Sequence, residues 1–234
     1  MRRIALFDID GTLLTMGGAA RDSFTRALSE AGGRPITTQG TSFVGKTDPQ
    51  IAREILNAHG IDGPGLPAMI EATVRLYLRY FEAALPEARA ARLLPGVLEL
   101  LAALAARPGI EVALLTGNVE KGARLKLDHF GISPYFDFHL SAFGSDHADR
   151  YQLPAVALER ARRRLGAEVE GESLVIIGDS EHDVLCGRSV GARAVAVATG
   201  WTAAETLRAL GPDHLFDDFS STADAVAAIA GEAA

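Results

Sequence analysis

The sequence predicts an α/β fold, in which helices cover both faces of a parallel β-sheet and a helical block is inserted after the first strand. Three short runs, at residues 3–7, 111–115 and 174–177, are mostly apolar and lack strict polar–apolar alternation. This pattern favours strands that are buried on both faces. After residue 94, strand-like runs alternate with helical patterns, which is typical of parallel sheets. Between Thr15 and Arg92 no strong strand pattern occurs.

The first strand is followed by the helical block. Apolar residues recur at helical spacing over residues 20–31, and Gly32-Gly33 ends that pattern. The segment Thr47-Asp48-Pro49-Gln50 has a capping-box pattern with proline in the first turn, which predicts a helix start. The predicted helices of this block span residues 20–31, 48–59 and 68–84. We therefore expect a helical domain over residues 16–91, inserted into a core formed by residues 1–15 and 92–234.

The remainder of the chain is predicted to alternate between helices and strands, and its strands join the first strand in one sheet. The predicted helices span residues 97–105, 121–130, 153–165, 183–190, 203–210 and 221–229. The predicted strands span residues 111–115, 136–140, 174–177, 194–197 and 214–216, of which 136–140 has the weakest pattern.

Composition indicates an ordinary globular protein. The chain has 234 residues, of which 48% are hydrophobic and 23% charged. A formal net charge of −7 argues against wholesale binding to nucleic acid. The single cysteine, Cys186, excludes a disulfide framework and a thiolate metal cluster, and we expect a packed thiol. The apolar run at the N-terminus is too short for a signal peptide and no stretch approaches a membrane span, so we expect a cytoplasmic protein that binds no membrane.

Two carboxylates follow the first predicted strand. Alternate residues of an extended segment point to the same side, so Asp8 and Asp10 are expected to face one small volume. Gly11 allows a sharp turn and a close approach of the backbone to a ligand. Like charges held this close are costly unless a cation, a proton or a reacting group lies between them.

Polar residues also follow two further predicted strands. The segment Thr116-Gly117-Asn118 comes after residues 111–115, and Asp179 and Asp183 come after residues 174–177. Ligands of open parallel sheets bind outside the carboxyl ends of the strands. We therefore expect these groups and the first two aspartates to form one site.

These segments resemble the haloacid dehalogenase superfamily. Asp8-x-Asp10-Gly11-Thr12, Leu115-Thr116-Gly117-Asn118 and Gly178-Asp179-x-x-x-Asp183 are similar to its motifs one, two and four, in the same order and over nearly the whole chain. The resemblance implies a Rossmann-like core and identifies the helical insertion as a type-one cap. For motif three the superfamily usually has a lysine, but no lysine follows Lys126 here, so Arg150 is the predicted substitute.

The resemblance implies a Mg²⁺-dependent phosphatase that acts on a small phosphorylated metabolite through an aspartyl-phosphate, and phosphoglycolate is a candidate substrate. Four aspartates would repel a phosphate dianion, and a hard divalent cation bound by oxygen atoms offsets that repulsion. The expected metal ligands are Asp8, Asp179, the backbone carbonyl of Asp10, and Asp183 as a ligand or a partner of one. The resemblance leaves open whether the chain is a monomer or a homodimer.

The charges and the resemblance together predict the catalytic roles. Asp8 is expected to attack phosphorus, while Asp10 protonates the leaving oxygen and later deprotonates water. Arg150 is expected to link Asp8 and the phosphate through a forked contact. The predicted phosphate-binding groups are the side chains of Thr116 and Asn118 and the backbone around Gly11, Thr12 and Gly117.

The same residues bear on four other functions. A dehalogenase is disfavoured because Asp10 has no use in halide displacement, and a phosphonatase because that branch typically has alanine at this position. A phosphomutase of the beta-phosphoglucomutase kind shares motif one and the cap, so the sequence leaves it open. A non-catalytic phosphate-binding protein is disfavoured because every expected catalytic residue is present.

Lys46 is a candidate for contact with the part of the substrate beyond phosphate. It lies in a loop before a capped helix and resembles the specificity loop of type-one caps, although a solvated loop lysine explains it equally well. Structural roles are expected for three further residues: Asp48 at a helix start, His182 as a solvated helix-start histidine, and Trp201 packed beside a loop.

Overall fold

The computed structural model describes residues 2–232 and is organised around a parallel six-stranded sheet. The strands are β1 (Arg3–Phe7), β2 (Leu14–Thr15), β3 (Arg92–Leu93), β4 (Ile110–Thr116), β5 (Ala142–Phe143), β6 (Leu174–Gly178), β7 (Arg193–Val197) and β8 (His214–Phe216). The α-helices are α1 (Ala19–Ala31), α2 (Asp48–Ala58), α3 (Leu66–Ala84), α4 (Val97–Ala105), α5 (Glu120–His129), α6 (Leu153–Leu165), α7 (Glu181–Cys186), α8 (Ala204–Ala209) and α9 (Thr222–Ala230).

The predicted fold class is confirmed. The sheet has the strand order β5-β4-β1-β6-β7-β8, and each neighbouring pair is parallel. Alternate residues of β1 enter different apolar clusters: Ala5 and Phe7 belong to one, and Ile4 and Leu6 belong to the other. Because these side chains leave the strand on opposite sides, helices cover both faces of the sheet.

The helical block packs through its own apolar faces. Helix α3 contacts both α1 and α2, and a row of aromatic rings lies in its interior. The ring centroids of Phe24 and Tyr77 are 5.0 Å apart, and those of Tyr77 and Phe81 are 5.6 Å apart. At the two points where the chain enters and leaves the block, β2 and β3 form an antiparallel pair that joins Leu14 to Leu93.

One predicted strand was wrong. Residues 136–140 form a loop that ends in a turn. The strand that pairs with β4 at this edge of the sheet is β5, which begins two residues later. The turn forms because Asp137 accepts local hydrogen bonds: its Oδ1 from the N–H of His139 at 2.9 Å and its carbonyl from the N–H of Leu140 at 3.2 Å. A short polar side chain that bonds to nearby backbone competes with strand pairing.

The described residues also show the environment of the cysteine and the character of the helices. Cys186 is buried, as the apolar sequence around it predicted. No helix between residues 2 and 232 combines the length and the apolar content that crossing a membrane requires.

Candidate active site

A cavity of about 680 Å³ lies where the carboxyl ends of the central strands face the helical block. Its sheet side includes Asp8, Asp10 and Asp179, which follow β1 and β6. Its other side includes Phe24 and Tyr77 from α1 and α3. A volume of this size is typical of sites for small ligands.

Three carboxylates meet beside this cavity. One oxygen from each of Asp8, Asp179 and Asp183 lies within 4.8 Å of the other two, and all three residues are buried. Burial, opposed by Arg150 and reinforced by neighbouring carboxylates, raises the pKa of Asp8 to about 6. Burial and the same repulsion also raise the pKa of Asp179 well above its usual value. A buried cluster of hard oxygen donors with this mutual repulsion is able to hold a metal ion.

The Asp179 carboxylate has a close-fitting seat. The hydroxyl of Thr12 donates to its Oδ1 at 2.9 Å. A Cβ at Gly11, where φ is +88°, would lie 2.6 Å from its Oδ2, and a Cβ at Gly200 would lie 1.6 Å from the same oxygen. Both positions therefore require glycine. The role of Gly200 was not predicted from the sequence, although Gly200 also follows a strand, β7, that neighbours β6 in the sheet.

Gly11 and Thr12 were predicted to bind substrate, but their polar groups have partners inside the protein. The N–H of Gly11 donates to the Leu14 carbonyl at 2.9 Å, and that of Thr12 to the Ile9 carbonyl at 3.3 Å. The Thr12 hydroxyl is the donor to Asp179 described above. The contacts of both residues therefore shape the turn and hold Asp179.

Arg150 lies between two of the clustered carboxylates. It belongs to a single helical turn before α6, and 2% of its surface is exposed. Its Nη2 lies 3.3 Å from Asp8 Oδ1 and is also paired with Asp183 Oδ1. Burial opposes its charge, but Asp183 and Asp8 raise the pKa of Arg150 above its usual value. Its Nε has no hydrogen-bond partner among the residues described.

Asp183 is held by the start of its own helix. Ser180 and Asp183 form a capping box, in which Asp183 Oδ2 accepts from the Ser180 N–H at 3.0 Å and from its hydroxyl at 2.6 Å. This cap explains why α7 starts at Glu181, two residues before the predicted start. With Oδ2 bonded to Ser180 and Oδ1 bonded to Arg150, Asp183 is fixed by two neighbours.

The carboxylate of Asp10 is not a member of the three-carboxylate cluster. Its Oδ2 accepts from Asn118 Nδ2 at 2.8 Å and from Lys126 Nζ at 2.6 Å. Asn118 Nδ2 also donates to the buried hydroxyl of Thr116 at 2.8 Å. The metal role predicted for Asp10 used its backbone carbonyl, and its carboxylate lies in a separate environment beside a lysine.

Lys126 is a charged residue of the site that was not predicted from the sequence. It lies on the buried face of α5, where Ala123 and Leu127 are also buried. Lysine on the apolar stripe of a helix is almost never fully buried unless it is paired. The occurrence of a lysine among the apolar residues Ala123 and Leu127 of one helix face was therefore the sequence signal for a buried, paired charge.

The segment before α2 is hydrogen-bonded to the core. Thr47 caps the helix, Asp48 is in its first turn, and the Thr47 hydroxyl also donates to the Ala148 carbonyl at 2.6 Å. The Asp48 N–H donates to the Gly117 carbonyl at 2.8 Å, and Asp48 Oδ2 accepts from the Val119 N–H at 2.8 Å. A Cβ at Gly117 would lie 2.0 Å from the Lys46 carbonyl, so glycine is required for this contact.

Two of the remaining residues singled out in the sequence, Lys46 and Trp201, line the cavity, and His182 lies outside its lining. Lys46 lines it, with its Nζ paired to Glu54 of α2. His182 lies in the first turn of α7, as predicted, but its side chain is not solvated: it is partly buried against Gly45, and its Nδ1 is buried. The prediction for Trp201 was wrong, because it lines the cavity with 88% of its surface exposed.

Comparisons with known proteins agree on one family. A family model for haloacid dehalogenase-like hydrolases matches residues 3–191. The chain is 29% identical to phosphoglycolate phosphatase of Rhodospirillum rubrum over 226 residues, covering 96% of this chain and 90% of that protein. It is 30% identical to the probable phosphatase IndB of Dickeya dadantii over 232 residues, covering 98% and 95%. The crystal structure of a predicted phosphoglycolate phosphatase from Haemophilus somnus matches with a TM-score of 0.72 at 22% identity, covering 96% and 97%.

The buried carboxyl of Asp48 predicts a pH-dependent stability. Burial, opposed mainly by Lys126, raises the pKa of Asp48 from 3.8 to about 6. The folded protein then retains a proton that the unfolded chain has lost, so stability falls as the pH rises through this interval. Relative to wild type, Asp48→Asn should gain up to ~3 kcal/mol of unfolding free energy between about pH 4 and about pH 7. Urea unfolding at several pH values measures this, with Asp62→Asn on the surface as control. If the unfolding free energies of wild type and Asp48→Asn change in parallel with pH, the prediction is contradicted.

Proposed function

This chain belongs to the haloacid dehalogenase-like hydrolases and is a phosphatase; we propose that its substrate is phosphoglycolate and that it requires Mg²⁺. The observation that carries the proposal is the buried cluster of Asp8, Asp179 and Asp183 at the edge of a cavity, with Arg150 inserted between two of its members. The relatives named phosphoglycolate phosphatase support the substrate.

The donors in the cluster fit magnesium. Asp8 and Asp179 would hold the ion together with the backbone carbonyl of Asp10, and Asp183 would support it from its fixed position. Mg²⁺ prefers oxygen ligands and also binds phosphate oxygens. Bound here, the ion would offset the charge of the carboxylates and stabilise charge on the phosphoryl group.

The carboxylates divide the chemistry between them. We assign Asp8 as the nucleophile: its oxygen forms a bond to phosphorus while the bond to the leaving oxygen breaks. Asp10 gives its proton to that leaving oxygen. In the second half-reaction Asp10 takes a proton from water, the water oxygen bonds to phosphorus, and Asp8 is released.

The phosphoryl oxygens need donors that are not used within the protein. We propose that the guanidinium of Arg150, whose Nε is unpaired among the described residues, and the backbone of the loop at Gly117 supply them, since both residues line the cavity. Thr116 and Asn118 support the loop and Asp10 through their mutual hydrogen bond. We assign Gly11 and Thr12 to the seat of Asp179, on the contacts given above.

The helical block, residues 16–91, is proposed to be the cap that selects the substrate. It supplies one wall of the cavity, including Phe43 and Lys46. Glycolate adds a carboxylate to the phosphate, and we propose that Lys46 binds it. The curated relatives are named as phosphatases, which favours hydrolysis over a mutase reaction. The paired Asp8 and Asp10 favour catalysis over simple phosphate binding.

The nucleophile can be tested by one substitution. Asp8→Asn should lower phosphatase turnover by at least ~10³-fold, because an amide oxygen does not form the phosphoenzyme. Phosphate release from p-nitrophenyl phosphate measures this, and acid-quenched wild type should carry a phosphoryl group on Asp8. Asp62→Asn serves as a matched control. Near-normal turnover by folded Asp8→Asn would refute the covalent route.

The metal requirement can be tested through the seat of Asp179. EDTA should stop hydrolysis and Mg²⁺ should restore it. Thr12→Val keeps the shape of the side chain but removes the hydroxyl bound to Asp179, so the Mg²⁺ concentration for half-maximal activity should rise by about 10–100-fold. Thr222→Val, on α9, is the control. Full activity after exhaustive chelation would rule out the metal.

The role of Lys46 predicts a substrate-dependent effect. Lys46→Ala should raise KM for phosphoglycolate by about 10–100-fold, the range for loss of a hydrogen bond to a charged group. KM for p-nitrophenyl phosphate, which has no such carboxylate, should stay within about 3-fold. Glu54→Gln, which removes the partner of Lys46 and keeps the lysine, should not raise KM for phosphoglycolate. Equal KM values for Lys46→Ala and wild type on phosphoglycolate would contradict this assignment.

A further inference from the structure

We propose that Lys126 is a positioning residue, whose ammonium group holds one oxygen of Asp10 so that the other oxygen faces the leaving group of the substrate. The inference rests on the proposed function, because it assumes that Asp10 exchanges protons with the substrate and with water.

The hydrogen bonds around Lys126 form a closed triangle. Its Nζ lies 2.6 Å from Asp10 Oδ2 and 2.6 Å from Asn118 Oδ1, and Asn118 Nδ2 donates to the same Asp10 oxygen at 2.8 Å. Each of the three side chains therefore contacts the other two. Such a network fixes the torsion angles of the Asp10 side chain more firmly than one bond does.

Both contacts to Asp10 end on Oδ2. Its Oδ1 accepts no hydrogen bond from the described residues, and Asp10 lines the cavity with a side chain that is 45% exposed. The side chain of Lys126 behind it is only 4% exposed. The carboxyl group therefore has one oxygen bonded to buried groups and one oxygen that is free of hydrogen bonds from the described residues, on a side chain that lines the cavity.

The burial of Lys126 requires an explanation beyond packing. A charged group loses much hydration when it is buried, and an apolar residue at this position of α5 would avoid that cost. The compensation comes from Asp10, from the negative field of Asp48, and from the ring of Phe81, whose centroid is 5.8 Å from Nζ. The lysine is thus placed where it acts on the carboxyl of Asp10.

Positioning matters most when the leaving oxygen needs a proton. As the Asp8 oxygen bonds to phosphorus and the ester bond breaks, the proton of Asp10 moves to the leaving oxygen, and Lys126 keeps its own protons. A misplacement of about 1 Å in such a group can cost ~10²-fold in rate. A leaving group that is stable as an anion needs no proton and is insensitive to this placement.

The test compares two leaving groups. Lys126→Met keeps the length of the stem and removes the ammonium group. We expect kcat/KM to fall by ~10²-fold or more for phosphoglycolate, whose leaving oxygen is an alkoxide, and by less than about 5-fold for 2,4-dinitrophenyl phosphate. Lys121→Met is the matched control, because Lys121 lies on the same helix with its side chain 60% exposed. Equal losses on both substrates would overturn the inference.

A double-mutant cycle provides the second readout. If Lys126 acts through Asp10, adding Lys126→Met to Asp10→Asn should cause no further loss of kcat/KM on phosphoglycolate. Multiplying losses would overturn the inference. If thermal unfolding shows that Lys126→Met is not folded, Lys126→Gln is used in both experiments with the same criteria.

The controls separate this inference from the proposed function. If Asp10→Asn shows the dependence on the leaving group and folded Lys126→Met does not, only the role of Lys126 is refuted. If Asp10→Asn loses equal activity on both substrates, the proton transfer assigned to Asp10 is refuted, and the inference falls with it.

Discussion

Mutual repulsion among three buried carboxylates is the constraint on which the arrangement of this site depends. Asp8, Asp179 and Asp183 each place an oxygen within 4.8 Å of the others, and in a poorly hydrated site such repulsion is only weakly screened. Each carboxylate is accordingly held by a neighbouring group: Arg150 contacts Asp8 and Asp183, the capping box of Ser180 also holds Asp183, and Thr12 holds Asp179. The glycines at positions 11 and 200 leave the space that the Asp179 carboxylate occupies. The fold therefore preserves the cluster at a cost, which is expected where a cation or an anionic reactant offsets the charge.

The two aspartates of the first loop occupy different electrostatic environments although one residue separates them. Asp8 is 7% exposed, with its pKa raised by burial to about 6, and its cationic neighbour is Arg150 from the turn before α6. Asp10 faces the cavity, and its cationic neighbour is Lys126 from α5. Pairs of titratable groups in contrasting environments are the usual way in which one site carries two roles. A nucleophile must keep a fixed distance to phosphorus, whereas an acid–base group must reach the leaving oxygen and later the water. The buried position of Asp8 and the half-exposed position of Asp10 match these different requirements.

Much of the fold follows from patterns that are local in the chain. A short run such as residues 174–177 is apolar at every position, which is typical of a strand that is buried on both faces. Such strands can therefore be predicted from the sequence. Strand ends then determine where Asp8, Thr116 and Asp179 converge, since all parallel strands present their carboxyl ends at one edge. The wrong strand at residues 136–140 shows the limit of this reasoning. Its apolar content is real, because Phe136 and Leu140 are buried. The hydrogen bonds that Asp137 accepts through its side chain and its carbonyl turn the chain between them. Apolar content alone does not distinguish a buried turn from a buried strand.

The contacts that sequence reasoning missed are those made between distant segments. Asp48 has the position of an ordinary first-turn acid in α2, and its burial arises only because the N–H of Val119 and the carbonyl of Gly117, some seventy residues away, bind it. Gly200 is needed only because Asp179 lies against it. Lys126 belongs to the same class, but with a difference: a lysine on the apolar stripe of α5 contradicts the local pattern. Most residues in a natural sequence agree with both their local and their tertiary environment, so a local contradiction of this kind marks a position where a distant partner determines the choice of residue. In this chain that partner is the carboxylate of Asp10, and the contradiction therefore points to the candidate active site.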